Sequence, residues 1–298
     1  MSILNRPSDG LLSVLIALWR AVATYGALSE ERLLRLCAPA SVVGDKPDMA
    51  RKTLTRWQQL GLFTTEAGDR VGLAQDVKSI DVANIDAFRR AVLRIVVGAN
   101  NNTALTSDDD TDNQESSLAS DFTRAAAWAL SQDPSSMPST SAKAEALHLE
   151  QRVDPRPFVN DTRWQGFLEW SVFCGLAVTT QRTFVPNPAF AIRTALDRVF
   201  EGAAELPQEL FLSRLASELP IVDGGSYRKI VDATIARPWR KLNTNELSPT
   251  LSLALQQLEA SGDLLLESRS DAPQRRLLGA GGRDMRGVSH VMRAGGSS

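Results

Sequence analysis

Cysteine, histidine and tyrosine each occur only twice in this 298-residue chain. Cys37 and Cys174 lie far apart and in no metal-ligand spacing, so they read as reduced core thiols rather than a disulfide framework or a zinc site. His148 and His290 have no carboxylate or cysteine at triad or zinc spacing, and both read as solvated surface side chains. Gly279-Ala280-Gly281-Gly282 lacks the lysine–serine pair and following helix of a phosphate loop. No metal or cofactor is implied, and an enzyme is not expected. No run approaches the roughly 18 apolar residues that span a bilayer. Leu11–Leu18 is broken by Ser13 and followed by Trp19 and Arg20, unlike a signal peptide. A cytoplasmic protein with no membrane partner is therefore expected. A net charge of −2 and a pI near 5.8 exclude a protein coated in positive charge. Any nucleic-acid surface must be a local patch. Lysine is also scarce (46, 52, 78, 143, 229 and 241), so most of the 33 basic residues are arginines. That excess fits a genomic composition bias as well as it fits phosphate recognition.

What is present is ordinary globular composition, 43% hydrophobic and 23% charged, over a length that allows roughly two to three domains. Three stretches end alike: an amphipathic run closes on Gly61, Gly175 or Gly262, and a short apolar-then-polar hairpin follows. Each reads as the back half of a winged helix-turn-helix, a third helix followed by a β-hairpin wing. The expected fold is mainly α with small β-hairpins (α+β), as tandem winged helix-turn-helix domains. The glycine spacings differ, so the array is not a solenoid.

The first unit spans 1–78. Leu11, Leu15, Leu18 and Val22 recur at helical spacing and Gly26 caps the end. Ser29 opens a second helix as N-cap, and Asp48 a third with Ala50, Leu54, Trp57 and Leu60 inward. The wing runs Leu62–Thr65, turns at Gly68-Asp69 and returns over Val71–Leu73. Residues 79–117 comprise a connecting helix at 81–98 and an acidic, polar stretch at 99–117 expected to be a flexible linker. A second winged-helix-like unit covers 118–203, with strands at 176–180 and 183–185 and a turn at Gln181-Arg182. The third covers 204–280: Pro207 opens its first helix, Ser248-Pro249 its last, and strands 264–267 and 275–278 pair around Asp271-Ala272-Pro273. The Gly/Arg-rich tail 281–298 is expected to fray.

A recognition helix reads base edges or phosphates through its exposed polar face. In the first unit that face offers Arg51, Lys52, Thr55 and Arg56, with Arg70 at the wing tip. In the second, Trp164 and Trp170 at i and i+6 cannot both sit centrally on one face. One of them is exposed and marks a protein contact, or both pack under the wing or against the 189–201 helix. In the third, Thr250, Ser252, Gln256, Gln257 and Glu259 point outward, with Gln256 and Gln257 candidate adenine readers. Phosphate contacts there fall to the flanking Arg237, Arg240, Lys241, Arg269, Arg275 and Arg276.

The opening Met-Ser-Ile-Leu-Asn-Arg-Pro-Ser-Asp-Gly-Leu and the string Asp121-Phe122-Thr123-Arg124-Ala125-Ala126-Ala127-Trp128 resemble the G component of bacterial 7-deazapurine-in-DNA (Dpd) modification and restriction clusters. The resemblance runs from the N-terminus through the third unit. It implies an accessory, non-enzymatic protein of a defence system, working beside separate helicase and nuclease subunits on foreign unmodified DNA, and it carries over no catalytic residues; double-stranded DNA is the expected partner. The leading expectation is a DNA-binding or scaffolding subunit. The alternatives are a purely protein-binding subunit resembling the tandem winged-helix (kite) subunits of condensin-like complexes, and a dimeric transcriptional repressor.

Overall fold

The three glycines each close a helix by the same device. Gly61, Gly175 and Gly262 have φ of 88°, 71° and 74°. In each case the residue after the glycine donates its N–H back across the last turn: Leu62 to Trp57 O, Leu176 to Ser171 O and Asp263 to Leu258 O, all at 2.9 Å. A left-handed residue at this position costs an L side chain energy that glycine does not incur, and the back-bond satisfies a carbonyl that the ending helix leaves open. At Gly175 there is a second reason, because a Cβ would sit 2.2 Å from the Phe190 ring.

The computed structural model describes residues 3–4, 11–39, 48–106, 118–158, 160–179 and 183–294. Its chain divides into two compact units. The fold is mixed helix with small antiparallel sheets.

Unit 1 holds residues 1–122 and 162–170. Its elements are α1 (Leu12–Tyr25), β1 (Leu28–Ser29), α2 (Glu30–Cys37), α3 (Asp48–Gln59), β2 (Phe63–Glu66) and β3 (Arg70–Leu73). The single-turn α4 (Gln75–Lys78), α5 (Ile85–Val96) and α6 (Thr103–Thr106) follow. The sheet order is β1-β3-β2, with Leu28 opposite Val71 and Phe63 opposite Leu73. Ser29 caps α2 as its sequence position suggests, accepting from the Arg32 N–H at 3.4 Å. Apolar stripes meet in one core: Trp19 stacks on Phe88 at 3.9 Å, and Leu54 and Trp57 are fully buried. Burying each such side chain stabilises the fold by roughly 1.5–3 kcal/mol. The start of the expected linker is structured. Asn101 donates to Leu60 O and Ile95 O, and Asn102 to Val96 O and Gly98 O, which ties 99–106 back to α5 and the end of α3. Residues 107–117 lie outside the described residues.

Unit 2 holds residues 123–161 and 171–298. The helices α7 (Ser120–Ser131) and α9 (Asp161–Phe173) contribute residues to both units, and α8 (Ser141–Gln151) lies between them in the chain. Then come β4 (Ala177–Thr179), β5 (Phe184–Pro186), α10 (Ala189–Phe200), β6 (Glu205–Pro207), α11 (Gln208–Glu218), α12 (Ser226–Ala233) and α13 (Pro249–Ala260). The chain continues through β7 (Leu264–Glu267), β8 (Arg275–Leu278), β9 (Asp284–Val288) and β10 (His290–Arg293). Ser248 caps α13, accepting from the Leu251 N–H at 3.3 Å. The expected turn at Gln181-Arg182 lies outside the described residues.

The last sheet corrects the expected wing. β7 does not pair with 275–278. It pairs with β10, which also pairs with β6, giving the order β6-β10-β7. β8 pairs instead with β9. The expected fraying tail therefore supplies the central strand of one sheet and half of a hairpin, with Val288 and Val291 buried. Glycine and arginine masked a short alternation whose apolar residues reach the core. Pro207 ends β6 and is also the N-cap of α11, one residue before the helix it was expected to open.

Candidate nucleic-acid interface

Helical geometry places residues three and four apart on one face. On α3 the inward positions are Ala50, Leu54, Trp57 and Leu60, all buried. Arg51, Lys52 and Thr55 are exposed on the other side. Arg56 does not join them. It shares a face with the buried Thr53 and Leu60, three and four residues away, and is only 4% exposed, with its Nη1 donating to Gln59 Oε1 at 3.0 Å. Arg51 reaches Glu30 at 2.9 Å in a pair exposed on both sides. Such pairs contribute about 0–1 kcal/mol, little enough for a phosphate to displace the carboxylate. Lys52 has no ion-pair partner among the described residues. Arg70 opens β3 after the turn through Gly68 and Asp69 (φ 74° and 53°), and its Nε donates to Ala67 O at 3.1 Å. The bond fixes the stem and leaves the side chain exposed.

Trp164 and Trp170 are both fully buried, which removes the expected protein contact. At 100° per residue they stand about 120° apart, and α9 is covered on both sides. In unit 1 Trp170 packs on Trp57 at 5.3 Å and Trp164 on Phe167 at 5.9 Å. Gly166 lies so close to Leu4 that an added Cβ would sit 2.9 Å from its carbonyl oxygen.

On α13 the expected outward face is largely occupied. Thr250 and Ser252 are buried: the Thr250 hydroxyl donates to Leu130 O, and Ser252 Oγ accepts the Leu278 N–H at 3.0 Å. The stripe Ser252, Gln256 and Glu259 meets the β8–β9 hairpin along its length. Gln256 Nε2 lies 3.4 Å from Met285 Sδ, and Glu259 pairs with Arg286. Gln257 is exposed, and its Oε1 accepts from Asn187 at 2.6 Å.

The flanking cations are mostly committed as well. Arg269 forms two bonds to Glu205, at 2.7 and 2.9 Å, and one to Glu267 at 2.7 Å. These bonds raise its pKa further, and the Arg269 bond holds the Glu205 carboxyl below the usual range. Arg276 pairs with Asp284 through Nε at 2.8 Å, lowering the Asp284 carboxyl. Arg240 holds Gly282 O and Glu246 at 2.6 and 2.8 Å. Arg237, Lys241 and Arg275 have no ion-pair partner among the described residues.

Both histidines depart from the solvated expectation. His290 sits in β10, with Nδ1 3.0 Å from Ser289 Oγ and Nε2 3.8 Å from Glu205. His148 is fully buried between Trp128, at 4.3 Å edge-on, and Phe158, stacked at 5.5 Å, with no hydrogen bond to either ring nitrogen. Burial first, and Arg156 second, push its pKa down to about 4, so it is neutral at pH 7.

The family model described as DpdG-like matches residues 1–272. The chain belongs to the DpdG-like family. No curated protein and no solved structure matches it. Membership agrees with the resemblance carried by the opening residues and the 121–128 string. The DpdG-like match includes β7 and stops before β8, β9 and β10. Among the described residues of this DpdG-like chain, no helix is long and apolar enough to cross a membrane.

Sequence reasoning also missed Arg228. It is 4% exposed, its single Nε–H is shared between the two Asp232 oxygens at 2.9 and 3.0 Å, and its Nη1 donates to Asp223 and Leu130 O at 3.1 Å each. Asp223 in turn accepts the Ser248 N–H at 2.6 Å, which joins this network to the N-terminus of α13. The i,i+4 spacing of Arg228 and Asp232 was its visible signal.

Proposed function

We propose that the chain is a non-enzymatic subunit of a Dpd modification–restriction system and contacts duplex DNA through unit 1. The observation that carries this reading is the solvent-exposed outer face of α3, with Arg51, Lys52 and Thr55 exposed and Arg70 exposed on the adjoining strand. Its setting supports the reading. The order helix, strand, helix, helix, strand, strand, with the last strand central, occurs in α1–β3 and again in α10–β10 with α12 and the β8–β9 hairpin added. We read that order as a winged helix, in which the third helix enters the major groove. The settings of His148 and His290, one walled by aromatics and one in a strand, favour structural roles over catalysis.

The test is duplex binding by the full chain across a salt series. The double variant Arg51→Ala, Lys52→Ala is expected to weaken binding about tenfold at moderate salt and to flatten the salt slope by about 2. Duplex affinity that is absent at low salt, or unchanged in the variant, would sink the reading.

A second reading has its own observation. The covered face of α13 suits a unit that does not read DNA and instead supports partner subunits, such as a helicase or nuclease. Co-purification of such a subunit after nuclease treatment supports that role; loss of the subunit on nuclease treatment counts against it.

A further inference from the structure

Trp19, Trp57, Trp128, Trp164 and Trp170 are fully buried, and Trp239 alone of the six tryptophans keeps exposed surface. It lies in unit 2, in the segment between α12 and α13. Its indole N–H donates to Ser131 O at 2.8 Å, which pins one edge of the ring. The ring lines a cavity of about 450 Å³, within the range of small-ligand sites. Ile235, Pro238 and Leu242 supply apolar wall, and Asp232 and Lys241 supply charge.

The charges here are unevenly committed. Arg228 is held by Asp223 and Asp232, and Arg240 by Glu246 and Gly282 O. Lys241 is exposed without an ion-pair partner among the described residues, and so is Arg237, two positions before the tryptophan. Asp232 shares one Nε–H of Arg228 between its two oxygens while its side chain remains 47% exposed, so spare lone pairs are available to a ligand. An aromatic face, a free ammonium and a carboxylate acceptor together match the base face, phosphate and base N–H donors of a nucleotide. Tryptophan at a protein-docking surface typically projects as an anchor into a partner, whereas this ring walls a concavity.

We propose that this cavity binds one unpaired nucleotide, with its base stacked on Trp239, base N–H groups on Asp232 and the phosphate on Lys241. Stacking on an aromatic side chain is the common element of single-strand recognition, because every base has a π face. The site is separate from the duplex reading. Paired and stacked bases hide the faces that Trp239 needs, so either reading can fail without the other.

The experiment titrates the full chain with GMP, with guanosine and with a five-nucleotide GTGTG single strand. Tryptophan emission and equilibrium dialysis are both read. Saturable quenching is expected, with binding weakened at least tenfold in Trp239→Ala and retained within about threefold in Trp239→Phe. Lys241→Ala is expected to weaken GMP about tenfold and leave guanosine unchanged, because only the phosphate is lost. Equal affinity for GMP and GTGTG assigns the site to a free nucleotide, and a tighter GTGTG assigns it to a single strand. No saturation up to millimolar ligand overturns the proposal, as does equal binding by Trp239→Ala. It is also overturned if Trp239→Ala releases a protein partner that nucleotide does not displace, which would make the cavity a protein contact.

Discussion

The helices α3 and α13 each precede the second strand of a three-stranded sheet, and their outer faces differ. Each follows a helix, precedes two sheet strands and ends in a glycine with positive φ and the same back-bond. α3 leaves Arg51, Lys52 and Thr55 in solvent. α13 buries Thr250 and Ser252 and spends Gln256 and Glu259 on the β8–β9 hairpin. What separates them is the chain between the two strands that follow. Between β2 and β3 there is only the turn Ala67–Asp69, whereas residues 268–289 intervene between β7 and β10 and return over the helix. A shared topology therefore does not assign a shared role. The length of chain between the two strands decides whether the helix face meets solvent or protein.

Breaking the support beneath α13 should give the largest effect. Arg228→Met leaves the Asp223 carboxylate, only 15% exposed, without its cation. Urea unfolding should show a loss of about 3–5 kcal/mol; a loss below 1 kcal/mol would mean that the network does not hold the helix start. His148 comes next. Its folded pKa of about 4 lies below the ordinary 6.5, so only the unfolded chain gains a proton between those values. Stability is complete above pH 6.5 and falls by about 3 kcal/mol as pH drops to 4. His148→Leu should flatten that part of the profile, and an unchanged slope would assign the pH dependence elsewhere. The smallest effect belongs to Arg286→Ala. Its pair with Glu259 is exposed by 46% and 27%, and removal should cost about 0–1 kcal/mol in thermal unfolding. A larger loss would show that the ion pair, rather than buried Leu277, Leu278 and Val288, fastens the hairpin over α13.

Long amphipathic helices and their caps were legible in the sequence, because one residue type at one position suffices: Leu54 and Trp57 inward, Ser29 and Ser248 at helix starts, glycine at helix ends. Strands of two or three residues were not, since Leu28–Ser29 and Glu205–Pro207 are too short for alternation to show. Strand partnership was also hidden. Nothing near Leu264–Glu267 reveals that its neighbour is His290–Arg293 rather than the nearer Arg275–Leu278. For the candidate interface, Arg51, Lys52, Thr55 and Arg70 fell on open surface as their spacing suggested. Arg56, Thr250, Ser252, Trp164 and Trp170 did not, because burial depends on what packs from outside the helix.

The order β6-β10-β7 also bears on how the protein is made. The outer strands of that sheet bond only to the middle one, and the middle one comes last of the three in sequence. On the ribosome, Glu205–Pro207 and Leu264–Glu267 emerge with unpaired edges and wait for His290–Arg293. A nascent chain stalled before that strand would expose two open ladders to chaperones and to its neighbours on the same message, while the β1-β3-β2 sheet would already have all its strands.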